Sequence, residues 1–174
     1  EIKYTDESSN DDGMVGIVKV NEGTDWMHDL GNQNRYFGQN DGSWGMYEGN
    51  GNVYHNGSNS GHGNSYTAND IIMFAMDLDN SKFYTGKNGS WNNSQDPSNG
   101  TNGFTLTATS YGDYWTPWMS KDDTSNNATV EFNFGFPGFS ISSAQADDNG
   151  HGVFEYDVPD GFYAFNSKNL AQFG

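Results

Sequence analysis

A cluster of aromatic residues around a glycine and a carboxylate is the first place where this chain could recognise a ligand. Tyr111, Asp113, Tyr114 and Trp115 fall in the sequence Tyr-Gly-Asp-Tyr-Trp, between two predicted strands. Aromatic rings stack on sugars or hold peptide side chains, and a carboxylate accepts hydrogen bonds from hydroxyl groups. The cluster predicts a binding site at 111–115. The alternative is that Tyr111, Trp115 and Trp118 fill a core that is short of aliphatic side chains.

A second group of aromatic and imidazole side chains lies in a Gly/Asn-rich stretch at 54–66. It contains Tyr54, His55, His62 and Tyr66, so it could form another rim of a binding site. The two histidines lie seven positions apart, and no third metal ligand accompanies them. Because zinc sites use at least three protein ligands, we interpret both as polar loop residues and predict no metal.

Asp77 and Asp79 form the carboxylate pair whose spacing best suits acid–base chemistry. Two positions apart at the end of a strand, they share a face and could act as acid and base or bind Ca²⁺. The sequence Asp79-Asn80-Ser81, however, is typical of a turn. Asp77 could cap that turn by accepting hydrogen bonds from backbone amides. We therefore predict a turn, with both carboxylates belonging to the scaffold.

Three further pairs of neighbouring carboxylates lie in predicted loops and could hold Ca²⁺ together with backbone carbonyls. They are Asp11–Asp12, Asp122–Asp123 and Asp147–Asp148. None has the ligand spacing of an EF-hand. We predict solvated loops and no cofactor, and Ca²⁺ stays as the alternative.

Catalytic motifs are missing from the sequence. It contains no G-x-S-x-G, no P-loop and no H-E-x-x-H. Some lectin-like sandwiches hydrolyse glycosides with three acids spaced E-x-D-x-x-E along one strand. Glu155 and Asp157 come nearest to that spacing, and the third acid is lacking. The sequence therefore predicts a protein that is not an enzyme.

The charge of the chain restricts its partners. The net charge is −16, with only seven Lys and Arg residues, so there is no basic surface for DNA or RNA. An anionic membrane would repel the chain, and no segment approaches the roughly 20 apolar residues of a membrane span. A partner should be neutral, basic or bridged by divalent cations. The acidity could also serve solubility alone.

The segment 69–91 indicates the fold class, because it reads as a β-hairpin with a buried first strand. In the predicted strand 71–78, residues 71–76 and Leu78 are apolar and fall on both faces, as in the middle of a sandwich. A turn at 79–81 leads into a return strand at 82–85, which Asn88-Gly89 closes.

Other strand candidates follow at intervals typical of an antiparallel two-sheet β-sandwich. They lie at 14–20, 35–38, 43–47, 52–55, 104–111, 115–120, 128–134 and 162–165, with one helical turn at 26–30. We predict an all-β fold and a single domain over 1–174. Ile2 and Tyr4 alternate with polar residues at the start, so we expect an excerpt of a longer chain that begins upstream of Glu1.

Eight short motifs occur in a fixed order along almost the whole chain. They are MVGIV (14–18), SWGMYEGNGN (43–52), NGS with GNSY (56–66), DIIMFAMDLD (70–79), FYTGKNGSW (83–91), DP with GF (96–104), EFNFG (131–135) and PDGFYAFNSKNL (159–170). In this order they resemble the SPRY domain, in the form common in tailed-phage virion proteins. The stretch 140–157 departs from the family, because it is longer and more acidic.

The resemblance implies a concanavalin-like jelly roll that binds through loops at one end and has no catalytic activity. The expected function is recognition of a host-surface glycan or protein by a phage tail fibre, spike or surface appendage. Alternatives are a structural decoration or assembly domain of the virion, with neighbouring virion proteins as partners, and a domain of a secreted bacterial adhesin. The expected location is the virion surface or the extracellular space, and a homo-oligomer is compatible with it.

Overall fold

The structure is a computed structural model that describes residues 1–7, 13–20, 38–39, 41–107, 114–121 and 128–173. These residues form two compact units, and each contains one antiparallel sheet. The first unit comprises Glu1–Asp6, Ala68–Leu106 and Thr129–Gly174; the second comprises Glu7–Thr67 and Thr107–Ala128. The predicted all-β fold with two antiparallel sheets is confirmed, and a single domain over the whole chain stays a prediction.

The described residues form eleven strands and a short helix near the end. The strands are β1 (Ile2–Glu7), β2 (Gly13–Val20), β3 (Ser43–Tyr47), β4 (Val53–His55), β5 (Ser58–Ser60), β6 (Ile71–Asp77), β7 (Lys82–Lys87), β8 (Ser90–Trp91), β9 (Phe104–Thr105), β10 (Tyr114–Lys121) and β11 (Ala128–Phe132). Helix α1 spans Ser167–Phe173, and 3-10 turns occupy Asn92–Ser94 and Pro97–Asn99.

The first unit has the strand order β11-β1-β6-β7-β8, and β9 also pairs with β7. Its β6–β7 hairpin runs antiparallel from the Ile72–Lys87 pair to the Asp77–Lys82 pair. Ile71, Ile72 and Met73 are all buried, so the start of β6 is covered on both faces as predicted. Asn88 (φ 50°) and Gly89 (φ 82°) make the tight turn into β8.

The second unit has the strand order β10-β2-β3-β4-β5. Strand β2 pairs with β10 along its full length, from Val20–Tyr114 to Gly13–Lys121. The first six residues of β2 are buried, which means that both of its faces are covered. Among the described strands, β10 lies at the edge of this sheet, where Pro117 removes no hydrogen bond from an inner ladder.

Several predicted element boundaries require correction. Residue Leu78 is 58% exposed in the turn and does not extend β6. The strand predicted at 128–134 ends at Phe132. No strand forms at 162–165, since the Ala164 backbone N–H donates to the Asp147 carboxylate and not to a neighbouring strand. Most of the prediction at 35–38, the turn at 26–30 and the end of the strand at 104–111 lie outside the described residues.

Candidate binding surface

The first predicted site begins at the exposed end of the edge strand β10. Tyr114 is 57% exposed, and its neighbour Trp115 is half-buried. Adjacent strand residues point to opposite faces of a sheet, so these two rings cannot line the same face. Tyr111 and Asp113 lie outside the described residues. Within the described chain, Tyr114 is therefore the freely accessible aromatic ring of this predicted site.

Trp115 contacts a cation from the adjacent strand. It is paired in register with Lys19 of β2, and the Lys19 ammonium lies 5.9 Å from the centroid of the indole ring. That distance permits a cation–π interaction, which contributes about 0.5–1 kcal/mol at an exposed site. Trp115 thus has a local packing role on its own face of the sheet.

The strand register places Tyr114 on the same face as a residue from the second predicted site. Tyr114 pairs with Val20, and Gly16 shares the face of Val20 because it lies four residues away on β2. Gly16 pairs with Gly45, which in turn pairs with Tyr54. Since directly paired residues project to the same side of a sheet, Tyr54 and Tyr114 share one face.

Trp118 and Tyr47 complete this face, which we call the aromatic face (Tyr47, Tyr54, Tyr114 and Trp118). Trp118, Tyr47 and Tyr54 are half-buried and pack against Met14 and Val18. The Tyr47 and Tyr54 rings meet edge to face at 6.1 Å. Neither predicted site includes Tyr47, and the sequence favours a core role for Trp118, although alternation along β10 places Trp118 with Tyr114.

The remaining residues of the second predicted site are held by packing and hydrogen bonds. The His55 ring stacks on Trp44 at 3.7 Å, and its Nδ1 lies 3.0 Å from the Ser43 carbonyl oxygen. Tyr66 is only 2% exposed and donates its hydroxyl to the Met46 carbonyl oxygen at 2.7 Å. His62 is half-buried. Tyr66 therefore supports the sheet from the interior, and His55 covers Trp44.

Asp77 performs the capping role that the sequence predicts. Its Oδ1 accepts the Asn80 backbone N–H at 2.9 Å, and its Oδ2 accepts the Asn80 side-chain amide at 2.7 Å. These bonds to Asn80, the side-chain one foremost, hold the pKa of the Asp77 carboxyl below its usual value. Asp79 is exposed in the same turn. The turn interpretation is confirmed.

Asp147 contradicts the prediction of a solvated loop. It is only 5% exposed, and it accepts backbone N–H groups of Asn149, His151 and Ala164 and the side-chain amide of Asn169. Burial alone would raise the pKa of its carboxyl, but these hydrogen bonds outweigh that effect and lower it. The prediction failed because two of the donors lie 17 and 22 residues further along the chain.

Metal binding finds no support among the described residues, where no group of three or more His, Asp or Glu side chains could hold an ion. The pairs Asp11–Asp12 and Asp122–Asp123 lie outside that part of the chain. No helix in the described chain has the length and apolar character needed to cross a membrane.

A patch of exposed phenylalanines lies in the first unit. Phe136 is 93% exposed and Phe165 is 67% exposed. Phe134 stands between Phe132 and Phe165, at ring-centroid distances of 6.0 and 6.1 Å. Exposed apolar clusters of this kind mark contact sites more often than scattered single residues do. We call Phe134 and Phe165, together with Phe136 two positions after Phe134 in the chain, the phenylalanine patch.

A search of protein-family models finds none that matches this chain, and no curated protein matches it significantly. The likeness to the SPRY domain is therefore carried by the sequence motifs alone.

Proposed function

We propose that this protein is a non-catalytic binding module of a phage virion, which recognises a glycan or protein on the host surface. The observation that carries the proposal is the aromatic face of the second sheet. Four aromatic rings from β3, β4 and β10 share that face, and one of them, Tyr114, is largely exposed. Tyr and Trp rings supply apolar area for stacking on sugars or peptide side chains, together with polar atoms for hydrogen bonds.

The virion context of the proposal comes from the motifs that resemble the phage form of the SPRY domain. The net charge of −16 favours neutral or basic ligands over nucleic acids and anionic membranes. Aromatic rings also suit such ligands, because they bind by stacking and hydrogen bonding.

A matched pair of variants on β10 tests this proposal. Tyr114→Ala changes the aromatic face, whereas Trp115→Ala changes the opposite face of the same strand. The two fluorescently labelled variants and the wild-type protein are applied to a panel of bacterial strains and to a glycan array. We expect Tyr114→Ala to abolish binding and Trp115→Ala to keep it, with cooperative thermal unfolding in both.

Three outcomes would contradict the proposal. Undiminished binding by Tyr114→Ala would exclude the aromatic face, and loss of binding in Trp115→Ala alone would move the site to the opposite face. Wild-type protein that binds no strain and no glycan would remove host recognition itself.

The phenylalanine patch favours a second candidate function, a structural role in virion assembly. An exposed apolar patch suits a permanent protein contact, and such contacts bury on the order of 1,000 Å² or more. A double variant, Phe136→Ser with Phe165→Ser, separates the two functions. Assembly predicts that this variant stops associating with virion proteins in co-sedimentation while it still binds cells. Undiminished association would remove the assembly role.

A further inference from the structure

A polar groove in the first unit is lined by none of the residues of the proposed function. Its volume is about 540 Å³, and its walls include Asp77, Asn80, Lys82, Asn99 and Phe162. Grooves of roughly 300–1,000 Å³ accommodate small ligands.

Two asparagine side chains are held in the groove by the same arrangement. Each is anchored by an aspartate three positions earlier in the chain. Asp77 accepts both the backbone N–H and the side-chain amide of Asn80, at 2.9 and 2.7 Å. Asp96 accepts the same two groups of Asn99, at 3.2 and 2.6 Å. Each amide is therefore fixed in orientation before any ligand arrives.

The anchored amides keep hydrogen-bonding capacity. Only one hydrogen of each amide group is used by the aspartate, and no described residue donates to the Oδ1 of Asn80 or Asn99. Each side chain still presents an acceptor oxygen and one N–H. A neighbouring acceptor and donor match a pair of adjacent hydroxyl groups, each of which both donates and accepts.

An aromatic ring stands beside these amides. Phe162 is half-buried on the groove wall, and its ring meets Tyr84 edge to face at 6.2 Å and 89°. Tyr84 is fully buried, and a side chain at Gly103 would place its Cβ 2.5 Å from the Tyr84 ring. Tyr84 is thereby confined on two sides, so it gives Phe162 a rigid support. An ordered aromatic ring offers an apolar face to the C–H groups of a sugar.

The Tyr84 hydroxyl belongs to the buried ring that contacts Phe162, and it does not itself line the groove. It is buried and has no hydrogen-bond partner among the described residues. Burial raises the pKa of this phenol, and the charges of Asp77 and Asp96 raise it further. Unsatisfied buried donors are rare in folded proteins, and functional sites are among the places that hold them.

The charged side chains of the groove limit which class of ligand can bind there. Asp77 and Asp160 line it together with a single cation, Lys82, whose ammonium already donates to the Thr105 hydroxyl at 3.2 Å. An anionic ligand would face a net negative wall. The carboxylate of Asp77 is also already occupied by Asn80, which weakens its attraction for a cation. The anchored Asn80 and Asn99 amides, as uncharged donors and acceptors, best fit an uncharged ligand rich in hydroxyl groups.

We propose that this groove is a binding site for an uncharged carbohydrate, held by the Asn80 and Asn99 amides against the Phe162 ring. The site is independent of the aromatic face and would give the protein two separate ligand contacts. It predicts weak, millimolar recognition of single sugar units, since an open groove covers only part of a ligand.

Saturation-transfer NMR tests the site with the methyl glycosides of glucose, mannose, galactose and N-acetylglucosamine as probes. Sialic acid and a Lys-rich peptide are included as charged competitors. The wild-type protein should bind at least one neutral glycoside at millimolar concentration. The double variant Asn80→Ala with Asn99→Ala keeps both backbone bonds to the aspartates and should lose about tenfold or more in affinity.

Three further proteins complete the experiment. Ser98→Trp fills the groove from an exposed position and should also abolish binding, even if the double variant proves unstable. Gln172→Ala removes an exposed amide from α1 and should bind like the wild type. Tyr114→Ala should also keep binding, which distinguishes the groove from the aromatic face.

The proposal is overturned if no neutral glycoside binds, or if the double variant and Ser98→Trp bind as well as wild type. A clear preference for sialic acid or the Lys-rich peptide would contradict an uncharged ligand. Loss of glycoside binding in Tyr114→Ala alone would assign the sugar to the aromatic face and remove it from the groove.

Discussion

Two aspartates, Asp77 and Asp147, both accept several hydrogen bonds, yet they hold very different parts of the first unit together. The partner of Asp77 is Asn80, three residues away in the same turn. The partners of Asp147 include Ala164 and Asn169, far along the chain. Asp77 therefore fixes one turn, whereas Asp147 connects a loop to the segment that leads into α1.

The two aspartates also differ in whether water could replace the carboxylate as the hydrogen-bond acceptor. The donors around Asp77 lie in an exposed turn, where water can replace the carboxylate. The Asp147 side chain is nearly fully buried, and so are its bonds to Ala164 and Asn169. Water cannot readily satisfy those donors. The same chemical motif thus contributes little to stability at one site and much at the other.

The largest expected effect is the loss of Asp147. Asp147→Ala leaves the Ala164 N–H and the Asn169 amide without their acceptor, at a cost of about 1–3 kcal/mol for each buried group. We expect the free energy of unfolding to fall by roughly 3 kcal/mol or more, measured by urea denaturation. Asp148→Ala is the matched control, because that neighbour bonds only Gly161 in an exposed turn. Equal losses in the two variants would show that burial does not distinguish them.

A pH titration sharpens the same comparison. Folding lowers the pKa of Asp147, so its stabilising contribution is complete above the unfolded pKa of about 4. As the pH falls through the lower folded pKa, the carboxyl is protonated and that contribution is lost. We therefore expect the stability difference between wild type and Asp147→Asn to be constant from pH 7 to about 5 and to shrink toward pH 3. Other carboxyls titrate equally in both proteins, and a difference that grows below pH 4 would contradict the lowered pKa.

The contrast between these aspartates explains how far the sequence could predict the fold. The 71–77 strand follows from a run of apolar residues on both of its faces, and the turn at Asp77 follows from residues within three positions of it. Those patterns are local, so they are visible in the chain. The strand predicted at 162–165 failed for the opposite reason, since Asp147 takes the backbone N–H of Ala164 from outside that segment.

The candidate sites, too, could be predicted only as far as they depend on residues close together in the sequence. Sequence reasoning found Tyr54 and Tyr114 as separate rims, but only the register across four strands shows that they share a face. Tyr66 and Tyr54 look alike in the sequence, and burial alone separates a core residue from a surface one. The repeated Asp-x-x-Asn spacing at 77–80 and 96–99 was a visible signal for the groove. Its meaning required the two turns to meet in space.

The smallest expected effect is the loss of Asp77. Asp77→Ala removes a capping carboxylate from an exposed turn, which typically costs about 1 kcal/mol. The free energy of unfolding should therefore fall by much less than in Asp147→Ala, measured under the same conditions. Asp77→Asn keeps an acceptor oxygen for the Asn80 backbone N–H and should recover part of the loss. If Asp77→Ala lost as much stability as Asp147→Ala, Asp77 would contribute as much to the fold as the buried aspartate does. The distinction between the two aspartates would then not hold.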